Sequence, residues 1–311
     1  MKVFVTGATG FVGREIVTEL QKAGHEITFL ARDSRTASAR AVEWGFDGQV
    51  HTGNILDPAS LQDACNGNDA VIHLVGIISE VGEQTFENIH TVGTQNVISA
   101  AQKAGIKRFI HMSALGTRPN AVSRYHQTKW AGEEAVRNSR LNYTIFRPSL
   151  IYGPGDQFVN TFARMIRWSP ILPVLGNDRV TFQPVSIEAV ARAFVRSLSE
   201  PASIGQTFDL CGSEALTLPE MLDAILGVIH RNRLKLRIPP KIARFQASIL
   251  EFVYARLLGK AAPLNRDQLI MLEEGNTGNC EPADKLFGLR HPSFCEGIAK
   301  YLLPEKNGIS A

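Results

Sequence analysis

The stretch MKVFVTGATGFVG, Met1 to Gly13, decides the fold. Val3 to Val5 make a short apolar run, glycines follow at 7, 10 and 13, and a helical pattern begins. A β-strand that breaks into a Gly-rich turn and opens a helix is suited to holding a pyrophosphate. Gly7 permits the tight turn, Gly10 admits phosphate without a Cβ in the way, and Gly13 lets helix and strand pack closely. Phosphates then lie at the helix N-terminus, where unpaired N–H groups and the helix dipole favour negative charge. The spacing is G-x-x-G-x-x-G rather than G-x-G-x-x-G. The inference therefore rests on context, a strand before and a helix after, and the alternative is a plain glycine turn.

Outward from this start, the first 150 residues alternate strand and helix. Strands are expected at Val3–Thr6, Glu26–Ala31, Gln49–Gly53, Ala70–Val75, Lys107–Met112 and Tyr143–Arg147. Helices are expected at Val12–Ala23, from Pro58 to about Asn66, at Phe86–Ala104 and at Arg124–Asn138. Such alternation implies right-handed crossovers and an α/β fold, a Rossmann-type doubly wound parallel sheet with ligands at the carboxyl ends of its strands. After Pro148 the loops lengthen and helices dominate. The expected division is a dinucleotide-binding domain over 1–150, with returning segments near 182–210. A smaller, mostly helical substrate lobe would comprise 151–181 and 211–311.

With 44% apolar and 20% charged residues, the 311-residue chain reads as an ordinary globular protein. A net charge of +3 gives no reason to expect a nucleic-acid partner. Cys65, Cys211, Cys280 and Cys295 are scattered and form no C-x-x-C pair, so reduced structural thiols in a cytoplasmic protein are expected. His73, His111 and His126 lack ligand spacing, and no metal site is expected. The stretch 231–260 holds eight Lys/Arg against Glu251 alone, a charge of +7 that leaves −4 for the rest. Ile242, Phe245, Ile249, Phe252 and Val253 recur in it at helical spacing. The favoured reading is a core-facing helix with a solvated basic face. The alternative is peripheral contact with an anionic membrane or a respiratory complex.

Tyr125-His126-Gln127-Thr128-Lys129 falls on the helix expected after the fifth strand. Residues i and i+4 share a helix face, so phenol and ammonium project together. A neighbouring ammonium favours the phenolate and would lower the tyrosine pKa, making Tyr125 an acid or base for an alcohol/carbonyl pair.

With these residues in view, the sequence resembles the short-chain dehydrogenase/reductase superfamily in its extended, epimerase/dehydratase-like branch. The strings that carry the likeness are TGATGFVG, GNILDP, VIHLVG, YHQTK and RPSLIYGPGD, with PVSIEAVARAF as a weaker extension. HLVGII, FENIHTVGTQNV, HMSALGT and NRDQLIMLEEGN look most like the subgroup containing the dinucleotide-binding accessory subunit of respiratory complex I and its bacterial relatives. The resemblance implies that Gly7, Thr9, Gly10, Phe11, Val12 and Gly13 form the pyrophosphate turn. Asn54 and Ile55 would meet the adenine, Val75 and Gly76 the nicotinamide ribose, and Pro148 and Ser149 the nicotinamide. Tyr125 would transfer the proton, Lys129 would support it and bind the ribose, and Ser113 would orient the substrate oxygen.

Two positions depart from that pattern. Ala114 stands where a second strand-end hydroxyl is expected, and His90 stands where asparagine is common. For the cofactor, NAD-preferring sites carry an acid at the end of strand two. Here Ala31 is followed by Arg32 and, shortly after, Arg35, which can fork onto a 2′-phosphate. NADP(H) is therefore favoured over NAD(H), with Asp33 close enough to blur the rule. Two functions stay open: an oxidoreductase or epimerase/dehydratase-like enzyme with an unidentified small-molecule substrate, and a cofactor-binding accessory or assembly protein peripheral to an inner-membrane complex. The helices at 86–104 and 124–138 are candidates to pair in a homodimer.

Overall fold

The protein was analysed as a computed structural model that describes residues 1–174, 179–260, 262 and 264–303. Strands and helices alternate through β1 (Lys2–Thr6), α1 (Phe11–Lys22), β2 (Glu26–Ala31), α2 (Ser34–Glu43), β3 (Gln49–Thr52), β4 (Ala70–His73), α3 (Gly93–Lys103), β5 (Arg108–Met112), α4 (Arg124–Arg137) and β6 (Asn142–Pro148). There follow β7 (Ile151–Tyr152), α5 (Phe158–Trp168), β8 (Ile171–Val174), β9 (Thr181–Phe182), β10 (Val185–Ser186), α6 (Ile187–Ser197) and β11 (Gln206–Leu210). The chain continues as β12 (Leu216–Thr217), α7 (Leu218–Ile229), β13 (Leu234–Arg237), α8 (Pro240–Phe252), α9 (Arg266–Glu274), α10 (Glu281–Phe287) and α11 (Phe294–Leu302).

Seven strands form one parallel sheet in the order β11-β6-β5-β4-β1-β2-β3. Both faces are covered, which is why its strands read as nearly continuous apolar runs. Val3 and Val5 point into one core with Ile16 and Leu20 of α1 and Val190 and Phe194 of α6. Phe4 points into the other, with Val97 of α3, Val136 of α4 and Phe109 of β5. Strand order reverses at β1, whose neighbours are β2 and β4. That reversal opens a crevice at the carboxyl ends of β1 and β4. A third core lies among α5, α7 and α11, where Val159, Ile166, Leu222, Ile225, Phe294 and Ile298 are buried. α10 returns to the first core through Ala283 and Phe287.

Four local expectations are corrected. After Pro58 the chain makes only a 3₁₀ turn, Ala59–Leu61, because the Asp57 side chain and the Asn54 carbonyl draw the backbone into tight turns. The helix expected from Phe86 opens as a π-helical segment, Glu87–Val92, whose wider turn buries Ile89, His90 and Thr91 in succession. The thiols of Cys211 and Cys280 are not reduced: the fold brings the end of β11 beside the segment before α10, and the two form a disulfide at a Cα separation of 5.6 Å. Cys65 and Cys295 are free. Finally, α8 turns Ala243 and Ala247, not the large apolar stripe, towards the body of the protein. Small side chains let α8 approach Leu269 of α9 closely, and the opposite face is left outside. No helix among the described residues is long and apolar enough to cross a membrane.

Candidate active site

The glycine turn sits at the crevice. Gly7 has φ +81°, the left-handed region that glycine tolerates, and a Cβ there would lie 3.3 Å from the backbone of Leu74 and Val75. A Cβ on Gly13 would lie 2.1 Å from the Gly7 carbonyl oxygen. The turn after β1, the start of α1 and the end of β4 are thus in backbone contact. Gly10 caps α1 and offers no side chain to its first N–H groups, while Phe11 and Val12 are half-buried. Thr9 is half-buried in the same turn.

Arg32 and Arg35 are exposed at and just beyond the end of β2. Between them, the Asp33 carboxylate is committed to capping α2, accepting from the Arg35 N–H at 3.0 Å and from the Thr36 hydroxyl. These hydrogen bonds hold its pKa below the ordinary carboxylate value. Asn54 follows the neighbouring strand β3, and its Oδ1 accepts from the Leu56 N–H at 3.1 Å. Ile55 is buried against Gly93, where a Cβ would meet its Cδ1 at 2.5 Å.

α4 starts at Ser123, whose hydroxyl accepts from the His126 N–H, and carries Tyr125 and Lys129 inward. Lys129 Nζ donates to the Met112 carbonyl at 3.1 Å. The same Nζ lies 2.8 Å from where a Cβ on Gly76 would stand, so the missing side chain leaves it room. Tyr125 packs edge-on to Phe86 and His90 in a small apolar cluster that includes Ala114, Ile77 and Met271. The expected lowering of the Tyr125 pKa by Lys129 is overturned: burial pushes the phenol up, to about 12. The ammonium is engaged with the Met112 carbonyl, and burial pushes it down, to about 8. Ser113 continues β5 through a hydrogen bond to the Phe146 carbonyl and sets its hydroxyl 3.4 Å from that of Thr117. Pro148 and Ser149 are buried at the end of β6, and the Ser149 hydroxyl donates to the Asn276 carbonyl at 3.3 Å.

The tautomers of His73 and His90 are fixed by their partners. The Thr94 hydroxyl donates to the His90 carbonyl, so it accepts from His73 Nε2–H at 3.1 Å. His73 Nδ1 is then the acceptor for the Thr6 hydroxyl at 2.6 Å. The Thr128 hydroxyl donates to the carbonyls of Arg124 and Tyr125 and takes Nδ1–H of His90 at 3.0 Å. His90 Nε2 accepts from the Ile77 N–H at 3.1 Å. His90 therefore ties the segment after β4 to α4, as a side-chain amide in its place could also do. Burial, aided by the Lys129 charge, lowers His73 to about 3 and His90 and His111 well below the ordinary value. All three are neutral. His111 is 2% exposed, stacks on His73 at 5.4 Å between ring centroids, and has no hydrogen-bond partner for either nitrogen among the described residues.

The crevice thus brings together Gly7, Val75, Gly76, Lys129 and Ser113, with Tyr125 beside them under Met271. Arg32, Arg35 and Asn54 stand apart at the ends of β2 and β3. Two parts of this site received no residue roles from motif reading. One is a lid, α9. Asn265 caps it and donates to the Ile78 carbonyl at 2.8 Å, Asp267 accepts the Arg124 N–H at 3.0 Å, and Glu274 pairs with Arg118 at 2.5 Å. The box Asn265-Arg266-Asp267-Gln268 would have marked its start. The other is Glu133, fully buried one turn past Lys129. It accepts from Arg147 Nε at 2.8 Å and Nη2 at 2.6 Å, and from Arg137 Nη2 at 2.6 Å, with both guanidiniums over Trp130.

Comparison with known proteins places this geometry. Residues 3–211 match the model of the NAD dependent epimerase/dehydratase family. The chain is 30% identical over 276 residues to the mitochondrial "NADH dehydrogenase [ubiquinone] 1 alpha subcomplex subunit 9" of Arabidopsis thaliana, covering 88% of this chain and 68% of that protein. It is 36% identical over 175 residues to a "Ceramide reductase" of Caulobacter vibrioides, covering 56% of this chain and 54% of that one. The chain therefore spans between about half and two thirds of the length of these relatives. Its fold is shared with the UDP-glucuronic acid 4-epimerase of Bacillus cereus, at TM-score 0.73 and 19% identity over 97% of this chain and 99% of that one. The chain belongs to the NAD dependent epimerase/dehydratase family.

Proposed function

We propose that this chain binds NADP(H) across the crevice between β1 and β4 and reduces the carbonyl of an apolar substrate. The observation that carries this reading is the meeting of the Gly7 turn, the bare Gly76 backbone and the Lys129 ammonium at the strand-order reversal. Gly7, Thr9, Gly10, Phe11, Val12 and Gly13 would receive the pyrophosphate, Asn54 and Ile55 the adenine, and Val75, Gly76, Lys129, Pro148 and Ser149 the nicotinamide half. When bound, the nicotinamide supplies hydride transfer. Preference for a 2′-phosphate follows from the exposed Arg32 and Arg35 and from Asp33, whose carboxylate caps α2 instead of facing a ribose.

The chain's own part is proton handling and exclusion of water. A phenol held at about 12 keeps its proton at neutral pH, so Tyr125 is suited to donate to a developing alkoxide and poorly suited to act as a base. Lys129 would steady the ribose and Ser113 the substrate oxygen. The apolar ring of Phe86, Ala114, Ile77 and Met271 around Tyr125 favours an alkyl substrate over a sugar, and the resemblance to a ceramide reductase agrees. Turnover of NADPH with long-chain aldehydes and ketones tests this. Tyr125→Phe should cost on the order of 10²–10⁴ in kcat and leave dinucleotide affinity unchanged. Wild-type turnover by that variant would remove Tyr125 from the chemistry.

A second reading has its own support. Ala114 replaces the expected hydroxyl, and Met271 of α9 packs on Tyr125 where a substrate would approach. Together with the resemblance to a complex I subunit, these features suit a cofactor-holding accessory protein. Dinucleotide binding without turnover on any carbonyl, together with retention on a respiratory complex, would favour it.

A further inference from the structure

α8 carries its apolar side chains on the wrong side for a helix of an isolated globular protein. Ile242, Phe245, Ile249 and Phe252 are 50%, 67%, 47% and 64% exposed, while Ala243 and Ala247 are 2% and 0% exposed. At about 100° per residue, the four large side chains share an arc of about 80°, opposite the alanine face. The arc is flanked on one side by Lys241 and Arg244, and Lys260 follows the helix. Arg244 is paired with Glu273, whereas Lys241 and Lys260 have no acidic partner among the described residues. On the preceding strand β13, Leu234 and Leu236 are 66% and 53% exposed and lie on one face with Ile171 and Pro173 of β8.

We infer that α8 is an interfacial anchor lying in the headgroup plane of an anionic lipid bilayer. Phe245, Ile249, Phe252 and Ile242 enter the acyl boundary, and Lys241 and Lys260 meet lipid phosphates. Two features select a bilayer over a protein partner. The large side chains form a convex ridge along a single helix rather than a groove that a partner element could fill. The stretch 231–260 also carries +7 on a chain whose remainder is negative; Lys235 and Arg244 are paired with Asp223 and Glu273, and the surplus that is left around α8 favours an anionic plane. This inference does not depend on the chemistry proposed at Tyr125.

The test is co-sedimentation of the full chain with vesicles of equal parts phosphatidylglycerol and phosphatidylcholine, and with phosphatidylcholine alone. The wild type should partition into the anionic vesicles at low salt, with partitioning weakened about tenfold or more on the neutral ones. The double variant Phe245→Ser, Phe252→Ser should lose partitioning by about tenfold or more. Lys241→Glu should reduce it about fivefold and flatten its salt dependence. Emission of a Phe245→Trp variant should shift to the blue on anionic vesicles and be quenched by brominated acyl chains. All substituted positions are exposed, so the melting temperature should not move. Failure of the wild type to sediment would overturn the inference and leave an acidic protein face as the occupant. Sedimentation of the serine variant at the wild-type level would also overturn it. A dimer that dissociates in the serine variant, without vesicle binding, would assign the ridge to a second copy of this chain.

Discussion

Substituting Gly13 by alanine tests the phosphate turn at its tightest point. An added Cβ would sit 2.1 Å from the Gly7 carbonyl oxygen and 2.7 Å from Ala8 Cα, all backbone atoms that cannot rotate away. Relief to about 3.4 Å requires the start of α1 to retreat by about 1.3 Å, which is overpacking of a close backbone contact and costs about 1–3 kcal/mol of stability. The Gly7 turn and the first N–H groups of α1 would then no longer address one point. A phosphate site whose donors are displaced by an ångström loses much of its preorganised interaction. Dinucleotide affinity should fall about tenfold or more, while the secondary-structure spectrum stays native. Thermal unfolding and calorimetric titration on the same preparation read both effects. A Gly13→Ala protein with unchanged melting temperature and unchanged affinity would refute the claim that helix, strand and phosphate meet here. A Gly24→Ala control, at a φ of +75° but with open space around it, should be strained without touching affinity.

Other predictions follow from buried charge. His73, lowered to about 3, stays neutral in the fold but binds a proton when unfolded below about pH 6.5. Its contribution to stability is therefore complete above about pH 6.5 and falls by about 1.4 kcal/mol per pH unit below it, until about pH 3. His90 and His111 are shifted in the same direction, so the acid limb should be steeper than one proton gives, and His111→Phe should flatten it in chemical denaturation between pH 7 and 5. Glu133→Gln leaves two guanidiniums without their buried carboxylate and should cost about 3–5 kcal/mol, read by urea unfolding. Arg147→Met together with Glu133→Met should recover much of that loss. Carbonyl reduction should hold up to about pH 8 and then fall as Lys129 loses its proton, while Tyr125 keeps its own to about pH 12. A rate profile with no inflection near pH 8 would argue against a role for the ammonium.

The sheet was legible because its strands are buried on both faces. Runs such as KVFVT and AVIH admit few other readings when glycine turns and amphipathic helices separate them. Tyr125 and Lys129 were legible as a pair because a helix repeats its face every fourth residue. Their electrostatics were not, since spacing gives direction but not burial: the lysine turned to Met112 and the phenol was left among Phe86, Ala114 and Met271. The Cys211–Cys280 bond and the docking of α9 against α4 arise from long-range contacts; the capping box at Asn265 marks where α9 starts but not what it packs on. The α8 stripe shows the same limit. Helical spacing of large apolar residues marks a face, but only the alanines packed on Leu269 reveal that this face points outward.

Calorimetric titration of the purified chain with NADPH and with NADH tests the central claim most directly, namely that the amino-terminal turn at the β1–β4 crevice holds a nicotinamide dinucleotide. The account predicts saturable one-to-one binding with NADPH preferred by about tenfold or more, a preference that Arg32→Ala and Arg35→Ala together remove by taking away the 2′-phosphate partners. Absence of heat with both dinucleotides, from protein that unfolds cooperatively, would contradict it.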